Sequence, residues 1–292
     1  MKEAALILFL RFLALLPLPA VRALGTVLAK LCWMLQTRMA RTTLTNLELC
    51  FPSMGAQERQ ALAKASLKQT FQTITEAGAV WLWPAARTLG LVTEVEGLGL
   101  LQAAKAENKG VLILGPHLGN WEVLGLYLNA CGCGPTSQLY QAPDAPSLDR
   151  LIFKARSRAG AKMVATDHKG VAELLKTLRA GEIVGMLPDQ VPPGSGGEFA
   201  PFFGKPALTM TLLNRLQQKT GARVVTGYAK RTEGGFRMIF REPAPEIHAS
   251  DLPTALAALN RSVEAVVMED PSQYQWEYKR FKRQPAGSPL PY

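Results

Sequence analysis

Val111-Leu112-Ile113-Leu114-Gly115-Pro116-His117-Leu118-Gly119-Asn120-Trp121-Glu122-Val123-Leu124 is the stretch that decides how this chain folds. Its first four residues form a continuous apolar run of the kind that fills a strand buried on both faces. Gly115 and Pro116 end that run, and helical spacing resumes over 121–129. Strand, tight turn, helix is the unit from which parallel sheets are built.

The unit recurs downstream. Strand patterns fall at 91–97, 137–141, 162–165 and 183–187, with a helix over 170–180 and the last strand running into Pro188-Asp189. Upstream, 56–83 places Leu62, Leu67, Phe71, Ile74 and Ala77 on one helical face. Downstream, 222–229 and 236–241 flank Glu233-Gly234-Gly235 as a hairpin, followed by a helix over 252–268. The reading is an α/β fold with a largely parallel central sheet flanked by helices, an N-terminal apolar anchor helix, and a C-terminal hairpin plus helix. No internal repeat or low-complexity linker divides the chain. Residues 1–35 read as a membrane-anchoring apolar segment, 36–284 as one domain, and 285–292 as a loose tail.

Composition narrows the function. The 33 Lys and Arg against 23 Asp and Glu give a net charge of +10, which favours an anionic partner. Yet 48% of residues are hydrophobic and 19% charged, greasier than basic nucleic-acid binders usually are, so a membrane surface is expected and nucleic acid is not. In residues 4–35, Arg11, Arg22 and Lys30 interrupt the apolar run and Pro17 and Pro19 break it. The roughly 18 uncharged residues of a membrane span are not reached. Three readings stand: a helix lying in the interface with its arginines reaching lipid phosphates, a tilted span, and a core helix. Cys32, Cys50, Cys131 and Cys133 show neither zinc-site nor disulfide spacing and read as reduced thiols, with no metal expected.

His117 lies just past the carboxyl end of a buried strand, where open α/β sheets bind their ligands. Glu122 opens the next helix, and a turn through Gly119 would bring its carboxylate to the imidazole as a dyad. A histidine is suited to remove a proton from an attacking hydroxyl, and a carboxylate beside it fixes the ring tautomer and stabilises the imidazolium. No serine or cysteine nucleophile is adjacent, so direct attack by an acceptor hydroxyl is the simplest chemistry. A turn-capping histidine with an unrelated helix-start glutamate would give the same spacing.

At His117-Leu118-Gly119-Asn120-Trp121-Glu122 the chain resembles the late acyltransferases of lipid A biosynthesis, the lauroyl and myristoyl transferase family. Further resemblances cover most of its length: Asn46–Pro52, Pro188-Asp189-Gln190, Phe199–Gly204 and Tyr274–Lys282. The resemblance implies a bacterial inner-membrane enzyme facing the cytoplasm. It would transfer an acyl group from an acyl carrier protein thioester to a hydroxyl of a lipid A precursor, with no cofactor. His117 would be the base and Glu122 its partner.

Family members also use an arginine and an aspartate. Spacing back from Asp189 implies Arg158, with Arg156 two residues away, and Asp189 would orient that arginine or Asn120. Asn120, Trp121, Phe202, Phe203, Arg280 and Lys282 are the expected substrate-binding residues, the phenylalanines lining an acyl channel or forming core. The basic, aromatic stretch containing Arg280 and Lys282 would grip anionic lipid or carrier protein. Another glycolipid, an ornithine-type lipid or a lysophospholipid is the alternative acceptor. A basic membrane- or nucleic-acid-binding protein without catalysis is the alternative of another class.

Overall fold

In the computed structural model, which describes residues 2–292, the runs Val111–Leu114 and Ile183–Met186 lie side by side in parallel, Val111 opposite Ile183 and Leu114 opposite Met186. Every residue of both is buried, as a continuous apolar run requires of a central strand. They belong to a chain that begins with five helices: α1 (Lys2–Leu15), α2 (Leu18–Met34), α3 (Arg38–Cys50), α4 (Ala56–Leu82) and α5 (Ala85–Leu89). Strands and helices then alternate through β1 (Val92–Glu96), α6 (Leu98–Ala106), β2 (Val111–Leu114), α7 (Trp121–Ala130), β3 (Thr136–Tyr140), α8 (Pro146–Ser157), β4 (Lys162–Ala165), α9 (His168–Arg179) and β5 (Ile183–Met186). The chain closes with β6 (Gly197–Phe202), β7 (Lys205–Met210), α10 (Leu212–Thr220), β8 (Arg223–Arg231), β9 (Phe236–Arg241) and α11 (Leu252–Glu269).

Seven strands form one sheet in the order β1-β9-β8-β2-β5-β3-β4. Neighbours run parallel except β8 and β9, the expected hairpin, which are antiparallel. The fold class, the strand positions and the closing hairpin and helix agree with the sequence reading. What that reading lacked is a second hairpin, β6–β7, which forms its own two-stranded sheet. It lies within the block around Phe199–Gly204 and turns at Phe203-Gly204, both with positive φ.

The expected anchor is not one helix. Pro17 separates α1 from α2, and both pack across α4. At Gly78 of α4 a Cβ would sit 2.6 Å from the Leu10 carbonyl oxygen and from the Leu13 side chain, so the bare backbone is what lets α1 approach this closely. Leu10, Leu13, Leu18 and Val21 are buried by that packing, while Leu8, Phe9, Phe12, Leu15, Val27, Leu31, Met34 and Leu35 face outward. No single helix among the described residues is long and apolar enough to cross a membrane; α2 and α3 reach that length together but are bent by 80° at their junction.

The expectation that Arg22 reaches lipid phosphate is overturned. It is buried at 8% exposure, its Nε donates to Glu76 Oε1 (2.7 Å), and its terminal nitrogens donate to the carbonyls of Thr232, Glu233 and Gly235. The C-terminal tail is exposed over 286–290, but Tyr292 folds back, its hydroxyl accepting from the Phe281 amide (3.2 Å) and its ring lying under Lys279.

Candidate active site

Two neighbouring parallel strands build the site. β2 leads into Gly115–Asn120 and β5 into Leu187–Asp189, so the residues just past their carboxyl ends converge on one edge of the sheet. There the imidazole of His117 meets Asp189. Nδ1 lies 2.8 Å from Oδ1, and the His117 backbone amide donates to Oδ2 at 2.9 Å. Asp189 is 2% exposed and the imidazole 14%, so the ring keeps one edge accessible. Burial drives the Asp189 carboxyl up, but the His117 imidazole and both hydrogen bonds outweigh it and hold it below the usual carboxylate range. Trp121 stacks edge-on against the imidazole, with ring centroids 5.0 Å apart.

The loop that carries His117 needs glycine at position 119. Its φ is +64°, and a Cβ there would lie 2.0 Å from the Ala229 carbonyl oxygen. The close approach allows the Asn120 amide to donate to that carbonyl (2.9 Å) and the Gly119 amide to donate to Gln273 O (3.0 Å). Asn120 is buried, and its side-chain amide donates to Glu76 Oε2 (2.9 Å). Glu76 in turn accepts from Arg22 and from Arg231, whose Nε and Nη2 reach its two oxygens at 2.9 and 2.8 Å. Burial raises the Glu76 carboxyl, yet the two guanidinium groups, Arg231 before Arg22, win and hold it low.

Glu122 is not hydrogen-bonded to His117. Its carboxylate is clasped by Arg156 of α8, Nε to Oε2 at 2.9 Å and Nη2 to Oε1 at 2.5 Å. Burial raises its carboxyl, and Arg156, helped by the more distant charge of His117, brings it below its ordinary value. Of the two candidate arginines, Arg156 therefore meets the site. Arg158, two residues on and so turned some 200° around the helix, caps α8 and donates to the Val80 carbonyl (2.5 Å). Asp189 orients neither arginine nor Asn120; its partner is His117.

Trp121 and Glu122 also line a cavity of about 580 Å³, walled by α1, α4 and the segment after α11. Lys282 stands on its rim, its ammonium 4.9 Å from the Tyr278 ring centroid. Phe202, Phe203 and Arg280 do not line it. Phe202 is 1% exposed and, with Phe203, Tyr274 and Trp276, forms an aromatic core, the second of the readings open from sequence. Arg280 is buried and donates to Leu208 O (2.7 Å) and Thr209 Oγ1 (3.1 Å), tying the C-terminal segment to β7.

The imidazole, partly exposed and held by a buried carboxylate, lies edge-on against Trp121 in the wall of a largely apolar cavity and is a group able to exchange a proton there. The comparisons with known proteins give the class. Residues 2–283 match the family described as bacterial lipid A biosynthesis acyltransferase, and the chain belongs to that family. It is 32% identical over 283 residues to the lipid A biosynthesis lauroyltransferase of Escherichia coli (strain K12), covering 95% of this chain and 90% of that protein. It is 30% identical over 278 residues to the lipid A biosynthesis palmitoleoyltransferase of the same organism, covering 93% and 88%. To its lipid A biosynthesis myristoyltransferase the chain is 27% identical over 258 residues, covering 86% and 78%. It is thus an acyltransferase of lipid A biosynthesis.

Proposed function

We propose that this protein transfers a fatty acyl group from an acyl carrier protein thioester to a free hydroxyl of a lipid A precursor, with His117 as general base. The observation that supports the reading is the His117–Asp189 pair, whose imidazole lies edge-on against Trp121, a residue of the cavity wall. With Nδ1–H donated to Asp189, Nε2 is left to take the proton as the acceptor oxygen attacks the thioester carbon. The carbonyl oxygen becomes the oxyanion of a tetrahedral intermediate. Its collapse expels the carrier thiolate, which takes the proton back from the imidazolium. Asp189 and, at longer range, Glu122 provide negative charge that stabilises the imidazolium.

The reaction consumes a thioester and an alcohol, so neither a metal nor an organic cofactor is required by its chemistry. Residues 1–35 act as the anchor, with the outward leucines and phenylalanines of α1 and α2 entering the acyl layer at the cytoplasmic face of the inner membrane. Residues 36–284 form the catalytic domain.

The test is transfer of labelled acyl groups from a panel of acyl carrier protein thioesters to a lipid A precursor in detergent micelles. Acceptor-dependent product is expected from the wild type, with a loss of 1000-fold or more in His117→Ala at unchanged melting temperature (roughly the loss expected on removing a catalytic base). Equal turnover by that variant would remove His117 as the base. Absence of product with every donor would overturn the lipid A reading.

A further inference from the structure

The cavity beside Trp121 is polarised along α4. Thr70, Thr73, Ile74, Ala77 and Trp81 all face it, polar at one end and apolar at the other, over a rise of about 16 Å. At the apolar end Leu6 and Leu10 of α1 complete the wall. At the polar end stands Glu277, and Arg38, Lys279 and Lys282 add three cations to the lining.

The cavity's two acids differ in state. Glu122 is bound by Arg156. Glu277 accepts from Thr70 Oγ1 (2.8 Å, to Oε2) and stands in none of the ion pairs among the described residues. Its side chain is half-buried and lines the cavity, and burial pushes its carboxyl above the usual range against hydrogen bonds from its own backbone amide, Thr70 and Gln275 and the more distant His117. A carboxyl that lines a cavity with no cation against it has lone pairs left to accept a further hydrogen bond from a ligand there.

We propose that Glu277 hydrogen-bonds a hydroxyl or amide of the acceptor's sugar at the polar end of this cavity, with Arg38, Lys279 and Lys282 facing its phosphate and the apolar end taking a fatty chain. The inference rests on the reading of the protein as a lipid A acyltransferase and adds the residue that selects and orients the acceptor. Glu277 is a positioning residue; nothing in the chemical step passes through it.

The test pairs kinetics with binding. For Glu277→Ala, the KM for a phosphorylated lipid A precursor in micelles is expected to rise about tenfold, one hydrogen bond's worth. The KM for the acyl carrier protein thioester should stay within twofold. Glu277→Gln, which keeps size and a carbonyl acceptor, should recover to within about threefold of wild type. Equilibrium binding of the same precursor, followed by tryptophan fluorescence in the absence of donor, should weaken by the same factor.

Thr70→Val supplies a variant that frees the carboxyl without removing it, and should give a smaller rise in acceptor KM; it also serves if Glu277→Ala does not fold. An unchanged acceptor KM and affinity in both Glu277 variants would overturn the inference while leaving wild-type transfer intact. So would equal increases in donor and acceptor KM. Wild-type protein that neither binds the precursor nor transfers to it would overturn the inference together with the function on which it rests.

Discussion

Asp189→Asn is the substitution that most sharply tests how the imidazole is held. In the wild type both carboxylate oxygens accept from His117, Oδ1 from the ring and Oδ2 from the backbone amide. The backbone N–H can only donate, so an asparagine must turn its single oxygen to it. Its NH2 then faces Nδ1 and forces that nitrogen to accept. The ring proton moves to Nε2, the nitrogen that must be empty to receive the hydroxyl proton. A wrong-tautomer histidine of this kind costs about 10³–10⁴ in kcat, or about 4–5.5 kcal/mol of transition-state stabilisation.

Glu122→Gln removes a charge that reaches the ring only through space, and Arg156 can still donate to the amide oxygen; a loss of about 10–100-fold in kcat is expected. The assay is the initial rate of acyl transfer into lipid A precursor micelles for both variants, at matched melting temperature and saturating acceptor. Asp189→Asn retaining more than a tenth of wild-type kcat while Glu122→Gln abolishes it would refute this account and make Glu122 the working partner of the imidazole.

Arg156→Met should reduce transfer about 10–100-fold by leaving Glu122 buried without its cation, whereas Arg158→Met should cost less than about threefold in kcat, read in the same assay. Glu76→Ala strands two buried guanidinium groups and should cost about 3–5 kcal/mol. For a chain of this length that is roughly 5–8 °C in melting temperature by circular dichroism; a shift under 1 °C would show that the carbonyls around Arg22 suffice without it. Asp189, Glu122 and Glu76 are all held below their ordinary values when folded. Their contribution to stability is therefore present above the unfolded carboxylate range of about 4 and lost as pH falls through the lower folded values. Urea midpoints should fall most steeply below about pH 4.5, and more shallowly in Glu76→Gln. Gly119→Ala should lose activity and at least about 1–2 kcal/mol, because both φ and the Ala229 carbonyl oppose a Cβ.

The strands and the place of His117 were legible because apolar runs, turn residues and helical spacing are local signals. Pairing was not. That β2 and β5 are neighbours, and that Asp189 therefore stands beside His117, depends on strand order, which no local pattern encodes. The spacing between His117 and Glu122 pointed to a contact, but the first turn of α7 carries Glu122 towards α8, where Arg156 takes it. Arg156 and Arg158 could not be separated without knowing which face of α8 is turned inward. Arg22 was misread for a related reason. A charge in an apolar helix signals either an interface or a buried partner, and the partner, Glu76, sits in the similarly apolar stretch Thr75-Glu76-Ala77-Gly78-Ala79-Val80. Two opposite charges on apolar helical faces were the signal that would have found the pair.

What these buried charges accomplish together is rigidity at the loop that carries His117. Glu76 ties the Asn120 side chain to α2, through Arg22, and to β8, through Arg231. The loop backbone is held by three further hydrogen bonds: the His117 carbonyl accepts from the Gln275 amide (3.0 Å), the Gly119 carbonyl from Thr73 Oγ1 (3.0 Å), and the Gly119 amide donates to Gln273 O (3.0 Å). A loop fixed from α4, β8 and the C-terminal segment at once has little freedom left to lose on binding substrate. The entropy of orienting His117 has been met in folding, which is how a preorganised site lowers a reaction barrier. The same wiring makes α2 both part of the apolar outer face and a support of the active-site loop. The apolar outer face of α2 and the position of His117 are therefore mechanically joined through one buried carboxylate.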